Sequence, residues 1–215
     1  MYHVLNRAVG RAALFKKDGD YAAFEKTLRD ALDWQPTRLI TYCLMPTHWH
    51  LVIWPREDGE LSEFMRWLTV THTQRWHAHH GTSGTGPLYQ GRFKAFPIQE
   101  DEHYFRVSRY VDRNALRANL VARAEDWRWS RIGRDADPAL AAMLSAGPLA
   151  FPSNWATLVN RAQSEAELAS LRRCVVRSCP YGGETWMRST AAALGLESTL
   201  RPRGRPRKDE EGGLG

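Results

Sequence analysis

The chain has 215 residues, 43% of them hydrophobic, with a formal net charge of +6 and a pI near 9.5. That composition supports a real core, and the length suits one domain with an extension. The basic balance points to an anionic partner, with nucleic acid ahead of a membrane surface. No apolar run of about 18 residues exists, so no membrane span is expected. The cysteines, Cys43, Cys174 and Cys179, are odd in number and lack Cys-x-x-Cys spacing. This argues against a disulfide framework and against a thiolate zinc site. Met1-Tyr2-His3-Val4 lacks the charged and apolar start of a signal peptide, so a reducing cytoplasm is the expected compartment.

In chain order, Tyr2 to Val9 alternates weakly and predicts a first strand. Asp20 to Trp34 predicts a helix, because Tyr21, Phe24, Leu28, Ala31 and Leu32 recur at three and four. Asp18 or Asp20 can cap it, and Pro36 ends it. Thr37 to Leu44 and His48 to Trp54 are strands separated by Met45-Pro46-Thr47, which predicts a hairpin. Leu61 to His80 is a second helix, followed by a Gly-rich loop from Gly81 to Pro87. Arg92 to Ile98 is a fourth strand, and a helix opened by Asp101 or Glu102 carries Tyr104, Val107, Tyr110, Val111 and Asn114. The order strand-helix-strand-strand-helix-strand is that of a ferredoxin-like α+β sandwich, with one more helix packed near the sheet.

From about Asp126 the character changes. A loop-rich stretch holds Pro138, Gly147-Pro148 and Pro152, then Ser164 to Glu167 resembles a capping box before a short helix ending near Cys174. Glu184 to Leu194 suggests a last helix. The chain is thus expected to divide into residues 1–125, an extension over 126–200 and a basic tail over 201–215. The tail is rich in Pro and Gly and cannot bury a core.

His48 and His50 are the most informative residues. On a strand, alternate side chains share a face, so the two imidazoles stand roughly 6.6 Å apart on one side and Trp49 on the other. Two such nitrogens make a half-site for a divalent metal with positions left open. Tyr110 and Asn114 are four apart on the expected helix and so are neighbours on one face. An amide oxygen from Asn114 would complete a facial ligand set, and Tyr110 could attack a phosphate that the metal polarises. A free phenol has a pKa of about 10, so the attack needs help from the metal's charge. On the residues alone, bland alternatives stay open: a polar core pair, a packing aromatic, a helix-end asparagine. His72, His77, His79 and His80 form a second histidine-rich stretch that could bind metal, but a solvated helix end is the expected reading. Trp67 and Trp76 are expected in the core. Arg92 and Lys94 could track a DNA backbone or be the exposed face of a strand.

Tyr2-His3-Val4-Leu5-Asn6-Arg7, Tyr42 through Trp54, Leu88 through Phe93 and Tyr110-Val111-Asp112-Arg113-Asn114 resemble, in order, the REP-associated tyrosine transposases. These belong to the single-tyrosine HUH transposases of bacterial insertion sequences. The resemblance continues through Asp126 to Ser130 and through Gly195 to Pro206, so it covers almost the whole chain. It implies His48 and His50 as the metal pair, Asn114 as third ligand and Tyr110 as nucleophile, with magnesium or manganese as the ion. It implies cleavage and rejoining of single-stranded DNA at REP-type hairpins through a 5′-phosphotyrosine intermediate, in the bacterial cytoplasm beside the nucleoid. The alternatives are a catalytically weak hairpin-binding regulator and a metal-dependent hydrolytic phosphodiesterase. Arg92, Lys94, Arg203, Arg205 and Arg207 are the expected DNA contacts. The protein would be a monomer or a homodimer. Family members commonly have several residues before the first strand, whereas Tyr2 opens it here. The family also often has Asn-Pro where this chain has Asn114-Ala115, so the helix is expected to run further.

Overall fold

The computed structural model describes residues 1–201. Strand β1 (Tyr2–Arg7) leads through a short turn into helix α1 (Asp18–Trp34). Strands β2 (Arg38–Met45) and β3 (His48–Trp54) form the expected hairpin. Helix α2 (Glu60–His80) and strand β4 (Lys94–Pro97) complete the sandwich. The sheet is antiparallel, in the order β2-β3-β1-β4, which splits each strand-helix-strand unit as a ferredoxin-like fold requires. The two-residue turn at Pro46-Thr47 is pinned from outside. Leu14 and Phe15 N–H donate to the Pro46 carbonyl at 2.8 and 3.1 Å, and Ala8 N–H to that of Thr47 at 3.0 Å.

Strand alternation sorts β3 cleanly. Trp49, Leu51 and Ile53 are fully buried and pack with Phe24, Leu28, Phe64 and Leu68 of α1 and α2. His48, His50 and Val52 face the other way. There helix α3 (Glu102–Asp112), capped by the Asp101 carboxylate on His103 N–H at 2.9 Å, lays Val107, Tyr110 and Val111 against the sheet. A one-turn helix α4 (Asn114–Arg117) follows.

Several expectations are corrected. Asp20 does not start α1. It is its third residue, and its carboxylate accepts from Lys16 and Lys17 N–H at 2.8 and 3.2 Å. Strand β4 begins at Lys94, because the chain through Gly91 and Arg92 bends before pairing with β1, so Arg92 stands exposed outside the strand. Helix α3 stops at Asp112 and does not carry Asn114 onward, although no proline intervenes. The Tyr110 carbonyl, which a continuous helix would offer to Asn114 N–H, accepts from Arg117 Nη1 at 3.0 Å. His72 is buried, not solvated: its Nδ1 is 2.6 Å from the Tyr89 hydroxyl, which also accepts from Trp49 Nε1 at 3.0 Å.

After residue 125 the chain stays on the same sheet. Leu44 N–H donates to the Trp129 carbonyl at 2.8 Å and Trp127 Nε1 to the Leu44 carbonyl at 2.8 Å. The stretch expected to be loop-rich contains α5 (Pro138–Ala142) and α6 (Trp155–Asn160). Helix α7 (Glu165–Arg177), capped by the Ser164 hydroxyl on Glu167 N–H at 3.2 Å, buries Leu168, Leu171 and Cys174 on the His48–His50 side of the sheet. Helices α8 (Glu184–Ala193) and α9 (Glu197–Leu200) close the described chain. Among the described residues no helix is long and apolar enough to cross a membrane.

Candidate active site

The β1–β3 register sets His50 opposite Leu5 and His48 opposite Arg7. Residues directly opposite share a face, so His3 and Arg7 stand on the same side as the histidine pair. The His48 and His50 rings are 5.0 Å apart and nearly perpendicular. His3 Nε2 lies 2.8 Å from His50 Nδ1, and both rings are buried. His48 is more open, with its Nδ1 3.0 Å from the Thr47 hydroxyl.

Burial decides the charge of these rings. Desolvation, then the positive charges of Arg7 and Arg117, pushes His48 down to about 4. Desolvation first, and then His3, His48 and the same arginines, holds His50 well below its ordinary value. His3 falls to about 3 for want of solvent and because of Arg117. All three rings are therefore neutral near pH 7, each with one nitrogen lone pair to offer.

This carries a stability signature. Unfolded histidines bind protons near 6.5, whereas His3 and His72 in the fold resist protonation until about 3 and His48 until about 4. The folded values are lowered, so the unfolded state takes up more protons, and stability is full above 6.5 and drains as pH falls towards 4. Each such histidine removes up to ~1.4 kcal/mol per pH unit. The metal-free protein is expected to show a falling urea midpoint from about pH 7 to about pH 5. A constant midpoint across that range would contradict neutral buried rings.

Helix α3 brings Tyr110 over the same face. Its ring is 6.1 Å from those of both His3 and His50, edge-on to each. The Arg117 guanidinium lies 3.9 Å from the Tyr110 ring centre and donates to Asn114 Oδ1 at 2.8 Å. Asn114 Nδ2 is buried without a hydrogen-bond partner. Tyr110 thus meets His50 directly, His48 stands beside His50, and Asn114 is linked to Tyr110 through Arg117. The donor set that fits a divalent cation is the pair of neutral imidazoles; Asn114 could add its Oδ1, which accepts from Arg117 through one of its two lone pairs.

Arg92 and Lys94 line a cleft of about 410 Å³ with Asn6, Arg7 and, from α7, Val175 and Val176. Lys94 pairs with Leu5, which also pairs with His50, so the cleft adjoins the histidine face. Arg203, Arg205 and Arg207 lie outside the described residues. Asp20, His79 and His80 form a separate group that could hold a metal. It belongs to α1 and α2, which cover the opposite face of the sheet from Tyr110.

Two residues of the site escaped the sequence reading. His3 could have been found only with the β1–β3 register in hand. Arg117 sits seven positions after Tyr110 and three after Asn114, a helical spacing that was there to be seen.

The family described as "Transposase IS200 like" matches residues 1–114. A solved REP-associated tyrosine transposase bound to a REP hairpin is 17% identical, with a TM-score of 0.50 over 71% of this chain and 88% of that one. A transposase candidate from Deinococcus radiodurans R1 is also 17% identical, with a TM-score of 0.41 over 52% of this chain and 87% of that one. Comparison with curated proteins finds no match. The first likeness agrees with the fold described above, and the family match spans every strand, His48, His50, Tyr110 and Asn114. The chain belongs to the IS200-like transposases.

Proposed function

We propose that this transposase is a metal-dependent single-strand DNA endonuclease and strand transferase of the REP-associated type, with Tyr110 as nucleophile. The reading is carried by one observation: Tyr110 meets the neutral, buried His50 ring at 6.1 Å, with His48 5.0 Å from His50 on the same sheet face. His48, His50 and Asn114 would hold Mg²⁺ or Mn²⁺, which when bound supplies charge neutralisation and polarisation of the scissile phosphate. The imidazoles contribute lone pairs because burial keeps protons off them. Asn114 contributes its amide oxygen, whose second lone pair remains beside the Arg117 contact. The Arg117 guanidinium adds a fixed positive charge beside the nucleophile.

Tyr110 Oη attacks phosphorus and forms a phosphotyrosine bond to the 5′ side of the break. The bond from phosphorus to the 3′ oxygen breaks, and that oxygen ends as a hydroxyl carrying the proton the phenol gave up. No bond energy is lost to water, so attack by a 3′-hydroxyl on the phosphotyrosine rejoins a strand. Residues 1–125 form the catalytic unit, 126–200 an extension that lays α7 beside it, and 201–215 a basic tail. The substrate is a REP-type single-stranded hairpin, the setting a bacterial cytoplasm, and the protein a monomer or homodimer.

A labelled REP-type hairpin oligonucleotide with Mn²⁺ or EDTA tests this on a denaturing gel. Cleavage and a covalent protein–DNA band are expected with Mn²⁺ and not with EDTA. Cutting without that band would point to attack by water, and binding without cutting to a recognition module.

Arg92 and Lys94 would take phosphates along the cleft beside His50. Arg92→Ala and Lys94→Ala should each reduce the log–log salt slope of hairpin binding by about one unit. An unchanged slope would mark both as solvated bystanders.

A further inference from the structure

We propose that His3 is a positioning residue that fixes the tautomer of His50, holding the His50 Nδ1 proton so that Nε2 presents its lone pair to the cation. The inference rests on the metal reading of His48 and His50 given above. His3 Nε2 and His50 Nδ1 are 2.8 Å apart, while the ring centres are 4.9 Å apart and the ring planes differ by 6°. That centre-to-centre distance is nearly the sum of the 2.8 Å contact and the two ring radii. The two nitrogens therefore lie near the line between the centres, and the rings meet edge to edge with nearly parallel planes. This is the geometry of an N–H···N hydrogen bond between the two ring edges.

A neutral imidazole has one donor and one acceptor nitrogen, so the pair has two arrangements. If His3 donates, His50 carries its own proton on Nε2 and cannot ligate there. If His50 donates from Nδ1, its Nε2 is free, on the ring edge turned away from His3. A ligating histidine ordinarily gives its second N–H to a carboxylate, carbonyl or water, which sets ring orientation and basicity. Here a second histidine occupies that place, and it is neutral.

The partner ring is itself held. Phe96, opposite His3 in the β1–β4 register, meets it edge-on at 4.8 Å, and Tyr110 meets it edge-on at 6.1 Å. His3 Nδ1 is buried with no hydrogen-bond partner. Leaving a polar nitrogen unsatisfied is costly, so packing alone does not explain a histidine at this position. Its one hydrogen bond goes to the candidate ligand. His3 thus acts through His50 and touches no reacting atom.

The test reads Mn²⁺ affinity by the loss of the free-ion electron paramagnetic resonance signal, on the full chain without DNA. His3→Leu fills the site without an acceptor and should weaken Mn²⁺ binding by about 10- to 100-fold. His3→Gln, whose amide oxygen can accept the Nδ1 proton, should recover most of that loss. His48→Ala and His50→Ala run alongside. If they bind Mn²⁺ like the wild type, the metal reading itself fails. If they lose binding while His3→Leu keeps it, only the role of His3 fails. Nitrogen-15 NMR of the Mg²⁺-loaded wild type decides the matter even if His3→Leu does not fold. A His50 proton on Nδ1 supports the proposal, and one on Nε2 overturns it.

Discussion

Tyr110→Phe is expected to lower hairpin cleavage by at least ~10³-fold and to abolish the covalent protein–DNA product. The substitution removes one oxygen and leaves the ring, so the edge contacts with His3 and His50 and the stacking under Arg117 can persist. Stability should then change by less than ~1 kcal/mol, and Mn²⁺ affinity by little. This separates a lost nucleophile from a damaged fold. Tyr104 cannot stand in: it lies on the same helix but is wholly buried, and burial raises its phenol further from ionisation. Wild-type cleavage by Tyr110→Phe, measured as initial rate on the labelled oligonucleotide, would sink the nucleophile assignment.

Asp112→Ala is expected to destabilise the protein by about 3–5 kcal/mol. Asp112 is 1% exposed, two residues past Tyr110. Its carboxylate accepts from the Thr41 hydroxyl of β2, from Arg131 Nη2 at 3.0 Å and from Trp155 Nε1 of α6 at 2.7 Å. Truncation leaves a guanidinium and an indole N–H without their acceptor, a larger penalty than the net worth of the pair. Asp112→Asn keeps one acceptor oxygen and should cost less. The same hub ties the chain beyond residue 125 to the helix that carries Tyr110, so cleavage should fall along with the urea midpoint. A loss under ~1 kcal/mol for Asp112→Ala would show that the hub does not hold the extension in place.

Local pattern made much of this molecule legible. The alternation in β3 separated His48 and His50 from Trp49, and the three-four spacing in α1 gave its buried stripe. The order of elements gave the sheet topology, because few connections of that order are possible. What stayed hidden depends on contacts far apart in sequence. The pairing of His3 with His50 spans 47 positions, and the Tyr89 hydroxyl that buries His72 comes from a loop. At the break before Asn114 the Tyr110 carbonyl accepts from the Arg117 side chain, a contact that no propensity scale registers. The role of Asp112 emerges only when Thr41, Arg131 and Trp155 are brought to it. The short α5 and α6 sit among prolines and glycines and carry too few turns for a periodic signal.

The most direct measurement locates the attacked DNA on the protein. Wild type, hairpin oligonucleotide and Mn²⁺ are incubated, denatured, digested with trypsin and nuclease, and sequenced by tandem mass spectrometry. The account predicts a nucleotide adduct on the peptide beginning at Tyr110, attached to its phenol and absent with EDTA. Cleaved DNA with no adduct, or an adduct on any other residue, would contradict it.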